Sequence, residues 1–308
     1  MSFPKRPKRR SLLVIGAAAV AVMTSAGCTT ELPGAAAGVT QPRAGQVVDT
    51  NAIGMSGANS VRAAATTFSD DFDGAAGADV DSGKWQHETG DGVNNHERQF
   101  YTAGTANAAL DGDGHLVITA KKENPANYNC WYGSCQYTSA RLNTAGKFTQ
   151  RYGHFEARMK LPRGQGMWPA FWLLGDNIGS AGWPSCGEID VMENIGREPG
   201  TVHGSMHGPG YSGGNPLTAA YPLPGGQSFA DDFHTFAVDW SPNAVTFSVD
   251  GQAYETRTPA DTNGNQWVFD HPFYIILNLA VGGDWPGDPD GNTQFPQQLV
   301  VDYVHVSA

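Results

Sequence analysis

From Phe68 onward, the chain consists of short runs in which apolar and polar residues alternate, separated by Gly, Pro, Asn and Asp. A period of two is typical of β-strands that bury one face, and no apolar spacing of three and four residues persists long enough to predict an amphipathic helix. The clearest predicted strands are residues 115–120, 153–161, 188–193, 236–240, 245–249, 273–279 and 299–306. A Ser-Pro-Asn connection after Trp240 predicts a hairpin. The pattern therefore predicts an all-β domain, a β-jelly-roll sandwich of two antiparallel sheets.

The alternation breaks within the segment Gly-Glu-Ile-Asp-Val-Met-Glu-Asn that ends at position 194. Successive side chains of a strand point to opposite faces, so Glu188 and Asp190 share one face. Strict alternation would turn Glu193 to the buried side, where an unpaired carboxylate is costly. One extra residue, a β-bulge around Val191 and Met192, would return Glu193 to the face of the other two acids. We therefore predict three carboxylates on one face of a bulged strand.

Three carboxylates on one face repel one another, and this repulsion raises the pKa of at least one of them. A carboxyl that stays protonated near neutral pH can act as a general acid. A pair of carboxyls is what glycoside hydrolysis requires, and retaining enzymes use one as the nucleophile and the other as the acid/base. The alternatives are an acidic strand that faces solvent and a Ca²⁺ site made of carboxylates.

Trp168 and Trp172 stand four residues apart with Ala170 between them, which places both indoles on one face of a strand. An indole can stack on the apolar face of a pyranose, and its N–H can donate to a hydroxyl. Packing in the core is the alternative for any single tryptophan. Trp183 and Trp285 stand beside Pro near the ends of strands. At least two of the four are therefore predicted to line a ligand groove.

His203 and His207 have the i, i+4 spacing of zinc ligands on a helix, but Gly204, Gly208 and Pro209 argue against a helix here. We predict a hydroxyl-binding or acid-tuning role for His207, with a structural role as the alternative. No Gly-rich phosphate loop, Ser-His-Asp set or zinc-ligand spacing occurs elsewhere in the sequence. We therefore expect a reaction that needs no catalytic cofactor.

The N-terminal region has the organisation of an export signal. Residues 1–10 contain five basic residues and no acid, and the apolar run 12–23 that follows is too short to span a bilayer. The Arg-Arg pair at positions 9 and 10 resembles a twin-arginine signal, although Lys8 stands where another polar residue is usual. The segment Ser-Ala-Gly-Cys that ends at Cys28 resembles a bacterial lipobox, although its Ser stands where Leu is usual. Lipidation of Cys28 is predicted, with simple secretion as the alternative.

These features divide the chain into three parts. Residues 1–28 are predicted to be the export signal, and residues 67–308 the catalytic domain. Residues 29–66 contain no aromatic residue and are rich in Ala, Gly and Thr, which predicts a flexible linker. The protein is expected to be exported, as an extracellular protein or a cell-surface lipoprotein of a bacterium, with the lipid as its only attachment to a membrane.

The charge of the mature chain limits its partners. Removal of residues 1–27 takes away five positive charges and no negative one, so the formal net charge changes from −11 to −16. So acidic a domain is a poor partner for nucleic acid and for anionic lipid, and it favours a neutral or cationic substrate. We expect a monomer.

Three cysteines follow the signal region. In an oxidising compartment, a disulfide between Cys130 and Cys135 that closes a small surface loop is the simplest pairing. Cys186 would then be a buried free thiol. A pairing of Cys186 with either loop cysteine remains open from the sequence.

Seven motifs follow one another along the chain: Asn94-Asn95-His96-Glu97, Thr138-Ser139-Ala140-Arg141-Leu142, Met167-Trp168-Pro169-Ala170-Phe171-Trp172-Leu173-Leu174-Gly175, Gly182-Trp183-Pro184, Gly187-Glu188-Ile189-Asp190-Val191-Met192-Glu193, Pro272-Phe273-Tyr274-Ile275-Ile276-Leu277-Asn278-Leu279-Ala280-Val281-Gly282-Gly283 and Val301-Asp302-Tyr303-Val304. Together they resemble glycoside hydrolase family 16, in the branch with the bulged strand that includes bacterial laminarinases. The resemblance covers residues 68–306. It implies a jelly roll with a concave catalytic cleft across one sheet, a retaining mechanism and endo-acting cleavage of a neutral β-1,3-glucan such as laminarin.

The resemblance also implies a role for each site residue. Glu188 matches the nucleophile and Glu193 the acid/base, while Asp190 matches the residue that hydrogen-bonds the nucleophile and keeps the two pKa values apart. The implied donor-side sugar-binding residues are Asn95, Arg141, Trp168, Trp172, His207 and Trp285. Family members often hold a structural Ca²⁺ on the convex side, and the matching positions are Asp71, Gly114 and Asp302.

Other substrates and one other class of protein are the alternatives. The acidic net charge disfavours the sulfated galactan of a related agarase or carrageenase. A mixed-linkage β-1,3-1,4-glucanase is the closer alternative, although enzymes strict for that linkage more often lack the extra Met. A jelly-roll carbohydrate-binding protein would also use a tryptophan groove. A binding role alone, however, does not explain why a β-bulge brings three acids to one face of a strand.

Overall fold

A computed structural model describes residues 65–125 and 127–308. The predicted export signal, the lipidation site at Cys28 and the linker up to residue 64 lie outside the described residues. Within them, the chain forms 20 strands, one short α-helix and three 3₁₀ turns. In this part of the chain, no helix has the length and apolar character that crossing a membrane would require.

The first strand begins at Thr66, one residue before the predicted domain boundary. The strands are β1 (Thr66–Asp70), β2 (Gln86–Glu88), β3 (Gly90–Asp91), β4 (Gln99–Tyr101), β5 (Ala108–Leu110), β6 (Leu116–Lys122), β7 (Asn129–Cys130), β8 (Gly133–Ser134), β9 (Tyr137–Ser139), β10 (Arg141–Asn143), β11 (Gly153–Lys160), β12 (Met167–Gly175), β13 (Glu188–Asn194), β14 (Thr201–His207), β15 (Leu217–Pro222), β16 (His234–Ser241), β17 (Ala244–Val249), β18 (Gln252–Arg257), β19 (Phe273–Val281) and β20 (Gln297–Ser307). The helical elements are α1 (Ile178–Ala181) and the 3₁₀ turns Val93–Asn95, Pro224–Gly226 and Pro259–Thr262. All seven predicted strands are present, with ends within two residues of the prediction.

Two large sheets form the sandwich, and the predicted all-β jelly-roll class is confirmed. The eleven-stranded sheet has the order β18-β17-β16-β11-β20-β6-β9-β4-β3, with β1 beside β20 and β5 beside β6. The seven-stranded sheet has the order β15-β14-β13-β12-β19-β10-β2, and β7 and β8 form a separate hairpin. One pairing departs from the predicted antiparallel arrangement: β4 and β9 run parallel. A parallel pair needs a long crossover, and β5 to β8 supply it here.

The core lies between the two sheets. In β11, Phe155, Ala157 and Met159 are fully buried and their even-numbered neighbours are partly exposed, as the period of two predicts. In β12, Phe171 and Leu173 pack into the same continuous cluster. Each of the large apolar side chains among them contributes roughly 1.5–3 kcal/mol by leaving water. One face of the seven-stranded sheet is thereby committed to the core, and its other face is left for a ligand.

The predicted β-bulge is present in β13. Trp172 of β12 lies opposite Asp190, and the preceding residue of β12 lies opposite Met192, which leaves Val191 without a partner. The register between β13 and β14 also shifts between Asp190 and Glu193. Val191 and Met192 both pack into the core between the sheets. The bulge therefore buries two consecutive apolar side chains and leaves the acids on either side of it free to point the other way.

The β7–β8 hairpin is closed by a disulfide between Cys130 and Cys135, whose Cα atoms are 5.1 Å apart. Cys186 is a buried free thiol. The structure therefore contains the first of the pairings that the sequence left open.

The positions predicted for Ca²⁺ belong to the eleven-stranded sheet and its edge, not to the other sheet. Asp71 directly follows β1, and its carboxylate lies 2.8 Å from His305 Nε2. Asp302 lies in β20 and pairs with the Arg158 guanidinium. Each of these contacts occupies one oxygen of its carboxylate. The Ca²⁺ site at Asp71, Gly114 and Asp302 stays a prediction.

Candidate active site

A cleft of about 660 Å³ crosses the centre of the seven-stranded sheet on the face turned away from the core. Alternation along β12 sends its even-numbered side chains into this cleft, from Trp168 to Leu174, while its odd-numbered neighbours pack into the core. Further strand residues that line the cleft are Arg141 of β10 and Asn278 and Ala280 of β19. Its remaining walls come from loops and α1: Asn94, Asn95, Glu97, Ile178, Trp183 and Gly213.

Glu188, Asp190 and Glu193 all line this cleft, as the bulged strand predicts. Strand β14 places one polar side chain opposite each acid. The cross-strand pairs are Glu188 with His207, Asp190 with Ser205 and Glu193 with His203. Directly opposed side chains of an antiparallel pair lie close enough to interact, so β14 forms the immediate environment of the acids.

Two indole N–H groups hold the two glutamates. Trp183 Nε1 donates to Glu188 Oε2 at 3.1 Å, and Trp168 Nε1 donates to Glu193 Oε1 at 2.9 Å. Hydrogen bonds to a carboxylate favour its ionised form and fix its orientation. Each glutamate is therefore oriented by a neutral donor that brings no counter-charge into the cleft.

His207 faces the acids with a protonated nitrogen. Its Nε2 lies 3.2 Å from Asp190 Oδ2 and 3.7 Å from Glu188 Oε1, while the Gly213 backbone N–H donates to its Nδ1 at 3.1 Å. In a neutral imidazole, one nitrogen accepts and the other carries the proton, so the bond from Gly213 puts the proton on Nε2. The three side chains have the donor set of a cation site. A metal ion would need the Nε2 lone pair, however, and here Nε2 presents an N–H to the carboxylates.

The resemblance implied a hydrogen bond from Asp190 to the nucleophile. In the structure, Asp190 is 4% exposed and its Oδ2 has no hydrogen-bond partner in the described part of the chain. Its nearest polar neighbour is His207, at a distance that permits an electrostatic contact. Asp190 therefore acts on Glu188 and Glu193 through its charge in this arrangement.

Burial raises the pKa of all three acids. It is the largest cause at Glu188, whose pKa is raised from 4.5 to about 8, and the Asp190 charge adds to it, whereas His207, Trp183 and Arg141 oppose it. Burial also raises the pKa of Asp190 above its ordinary value. The pKa of Glu193 is raised well above its ordinary value, by burial first and then by Asp190, whereas His207 and the Trp168 N–H oppose the shift. Arg141 is thus a charge that favours the ionised form of Glu188.

Replacing Glu188 by glutamine is expected to raise thermal stability at pH 9 and to leave it unchanged at pH 4. The folded protein holds this proton up to about pH 8, whereas the unfolded chain releases it near 4.5. The stability that the group contributes is therefore complete below pH 4.5 and is lost as the pH rises through about 8. Glutamine carries no charge, so we expect a gain of roughly 2–4 kcal/mol at pH 9, or about 4–12 °C in Tm. Thermal unfolding at both pH values checks this, and an equal Tm difference at both would contradict it.

A buried hydrogen-bond network supports the residues predicted to bind sugar. Glu97 is 7% exposed and accepts from Asn95 Nδ2 at 3.0 Å and from the Tyr101 hydroxyl at 3.2 Å. That hydroxyl accepts from Asn278 Nδ2 at 3.3 Å, and Asn278 Oδ1 accepts from Trp172 Nε1 at 2.7 Å. The network therefore fixes Asn95 and Trp172, on different walls of the cleft, relative to each other.

Arg141 is held between an acid and an indole. Its Nε lies 3.0 Å from Glu88 Oε2, and its guanidinium lies over the Trp172 ring at 4.6 Å from the centroid. Such a cation–π contact fixes a planar group that can still donate to ligand hydroxyls. Arg141 thereby adds a rigid hydrogen-bond donor to the wall of the cleft.

Seven of the nine residues predicted for catalysis and sugar binding line the cleft, and two do not. His207 contacts the acids, and Trp285 packs edge-on against Trp168 at 5.6 Å between ring centroids. Sequence reasoning assigned no role to Glu97 or to Asn278. Both residues belong to motifs on which the family resemblance rests. Their membership of these motifs is the feature of the sequence that could have identified them.

The comparisons with known proteins agree with this geometry. Residues 96–305 match the model of glycosyl hydrolases family 16. A β-glucanase of Rhodothermus marinus is 40% identical over 253 residues, which cover 78% of this chain and 83% of that protein. The laminarinase catalytic domain from Thermotoga maritima is 46% identical with a TM-score of 0.74, covering 79% of this chain and 97% of that one. The endo-β-1,3-glucanase from Pyrococcus furiosus is 46% identical with a TM-score of 0.75, covering 80% and 94%.

The family match spans residues 96–305, a range that includes the bulged strand, its three acids and the tryptophans of β12. The resemblance found in the sequence is confirmed, and the chain is a glycoside hydrolase whose family requires no catalytic cofactor. The chain belongs to glycosyl hydrolases family 16.

Proposed function

We propose that this enzyme cleaves β-1,3-glucosidic bonds within laminarin-like glucans, with retention of configuration. The observation that carries the proposal is the bulge in β13, which brings Glu188 and Glu193 to one cleft face with Asp190 between them. Double displacement requires two carboxyls that flank the scissile glycosidic bond, roughly 5 Å apart.

In the proposed mechanism, Glu188 is the nucleophile. Its carboxylate attacks the anomeric carbon, and a covalent glycosyl-enzyme forms as the glycosidic bond breaks. Glu193 gives its proton to the departing oxygen in the same step, and the resulting carboxylate then takes a proton from the water that releases the sugar. The raised pKa of Glu193 keeps that proton available, while the Trp183 N–H and Arg141 lower the pKa of Glu188 against the effect of its burial.

The course of the cleft supports attack inside a polymer. Its lining residues come from β10, β19, β12 and β13, which are neighbours in the sheet, and it continues to Gly213 beyond β14. A chain of sugars can therefore lie across the strands on both sides of the acids. Trp172 and Trp183 offer indole faces along this path, and the mature net charge of −16 favours a neutral glucan.

Reducing-sugar release by residues 65–308 on laminarin and on barley mixed-linkage glucan, measured in parallel, tests the substrate. We expect cleavage of laminarin by the wild type and none by the Glu188→Gln variant. A higher kcat/KM on barley glucan would assign the enzyme to mixed linkages. Binding of laminarin without any release of reducing ends would leave a carbohydrate-binding protein.

Replacing Asp190 by asparagine is expected to move both limbs of the kcat/KM pH profile to lower pH. The Asp190 charge raises the pKa of Glu188, which must be ionised, and that of Glu193, which must be protonated. Removal of this charge lowers both values. Initial rates from pH 4 to 10 on a soluble laminarin oligosaccharide check the shift. A profile that loses height without moving would contradict a role for the Asp190 charge.

We also propose that the mature enzyme is a monomer tethered to a bacterial surface through a lipid on Cys28. The charge pattern of residues 1–10 and the Ser-Ala-Gly-Cys segment support the tether. Fractionation of cells that express a Cys28→Ser variant tests it, because a variant that stays with the membrane would exclude the lipid anchor.

Thermal unfolding with Ca²⁺ and with a chelator tests the proposed structural ion at Asp71, Gly114 and Asp302.

A further inference from the structure

Three rings form a continuous edge-to-face stack behind Glu193. The His203 ring meets Trp285 at 5.1 Å between centroids and an angle of 75°, and Trp285 meets Trp168 at 5.6 Å and 84°. Trp168 in turn donates its indole N–H to Glu193 Oε1 at 2.9 Å. His203 starts the stack from the β14 position directly opposite Glu193. The series of contacts from His203 through the two indoles therefore returns to Glu193, the cross-strand partner of His203.

The turn between β13 and β14 holds this stack from outside. Arg197 Nη1 donates to the Trp285 backbone carbonyl at 2.6 Å, which fixes the loop that carries this indole. Glu198 Oε2 lies 3.4 Å from His203 Nε2. Two consecutive residues of one turn therefore restrain the first two rings of the stack.

His203 is suited to packing and not to proton transfer. Burial is the largest cause that lowers its pKa below the ordinary 6.5, which favours the neutral ring at neutral pH. In the described part of the chain, its buried Nε2 has no hydrogen-bond partner of good geometry, and its side chain is only 18% exposed. A neutral ring in a fixed orientation can support an indole through edge-to-face contact.

We propose that His203 and Trp285 are positioning residues for the acid/base. They hold Trp168 so that its N–H keeps the Glu193 carboxyl aimed at the departing glycosidic oxygen. This inference rests on the proposed function, because it assigns the stack to the protonation step of that reaction. General acid catalysis depends on the placement of the proton, and a displacement of about 1 Å can cost roughly 100-fold in rate.

The dependence of rate on the leaving group tests the proposal. Two aryl β-laminaribiosides are compared, one with 2,4-dinitrophenol, which departs without a proton, and one with phenol, which needs the proton of Glu193. For His203→Ala, we expect kcat/KM to fall about 10- to 100-fold on the phenyl substrate and to change less than about twofold on the dinitrophenyl substrate. His203→Phe keeps an aromatic edge at Trp285 and is expected to restore most of the phenyl activity.

A second variant keeps the test valid if His203→Ala does not fold. Arg197→Met removes the exposed contacts of this side chain to the Trp285 carbonyl and to Glu198, and the same split between substrates is expected with a smaller amplitude. Equal losses on both substrates, or no loss on either, would overturn the positioning role. A wild type that cleaves neither substrate would instead contradict the proposed function itself, so the two failures are distinguishable.

Discussion

Glu188→Ala is expected to lower kcat on laminarin by at least about 10⁴-fold, because it removes the atom that forms the covalent intermediate. Added azide should restore turnover of a dinitrophenyl donor, since a small anion fits the space that the side chain leaves. Azide attacks from the face that Glu188 occupies, so the product should be the α-glycosyl azide, with inverted configuration. Chromatography and NMR of the product check both its formation and its anomer.

The matched control is Glu156→Gln, which alters a glutamate of β11 on the other sheet. This variant is expected to keep wild-type activity, because Glu156 lies outside the cleft. Residual activity of Glu188→Ala above about 1% of the wild type, or an azide product with β configuration, would show that Glu188 is not the nucleophile.

Glu193→Ala is expected to lower kcat/KM on laminarin by about 10²- to 10⁴-fold, the usual contribution of a general acid. The first step should survive with a dinitrophenyl donor, because that leaving group needs no proton. The second step should then be slow, since no base activates water, and a burst of dinitrophenol should precede a slow steady state. Azide should accelerate this steady state and give the β-glycosyl azide, with retained configuration.

Stopped-flow absorbance on the dinitrophenyl substrate measures the burst. An amplitude close to one equivalent per enzyme is the expected result. A variant that loses activity equally on laminarin and on the dinitrophenyl donor, with no burst, would remove Glu193 from the acid/base role. The opposite anomers expected from the two azide experiments separate the roles of the two glutamates.

The catalytic strand could be predicted from the sequence because two requirements leave one solution. Alternation sets the faces of Glu188 and Asp190, and the cost of burying a charge excludes the register that would turn Glu193 inward. An extra residue at Val191 and Met192 satisfies both, and the structure has it there. Alternation in β12 likewise placed Trp168 and Trp172 on the cleft face.

The support of the site could not be predicted in this way, because it depends on loops that meet only in the folded chain. Tyr101 and Asn278 are 177 residues apart in sequence, yet their hydrogen bond joins two walls of the cleft. The bond from Gly213 that sets the proton of His207 depends on a turn whose path carries no periodic signal. The parallel pairing of β4 with β9 was not predicted for a related reason. The alternation of apolar and polar residues in a strand does not show which strand lies beside it or whether the two run parallel.

The anomer that appears first in the reaction tests the central proposal most directly. Proton NMR of wild-type enzyme with a reduced laminarin oligosaccharide, recorded before mutarotation, follows the new reducing end. Double displacement by Glu188 and Glu193 predicts that the β-anomer accumulates first and that the α-anomer follows slowly. Initial formation of the α-anomer would contradict the covalent intermediate on Glu188 and with it the roles proposed for both glutamates.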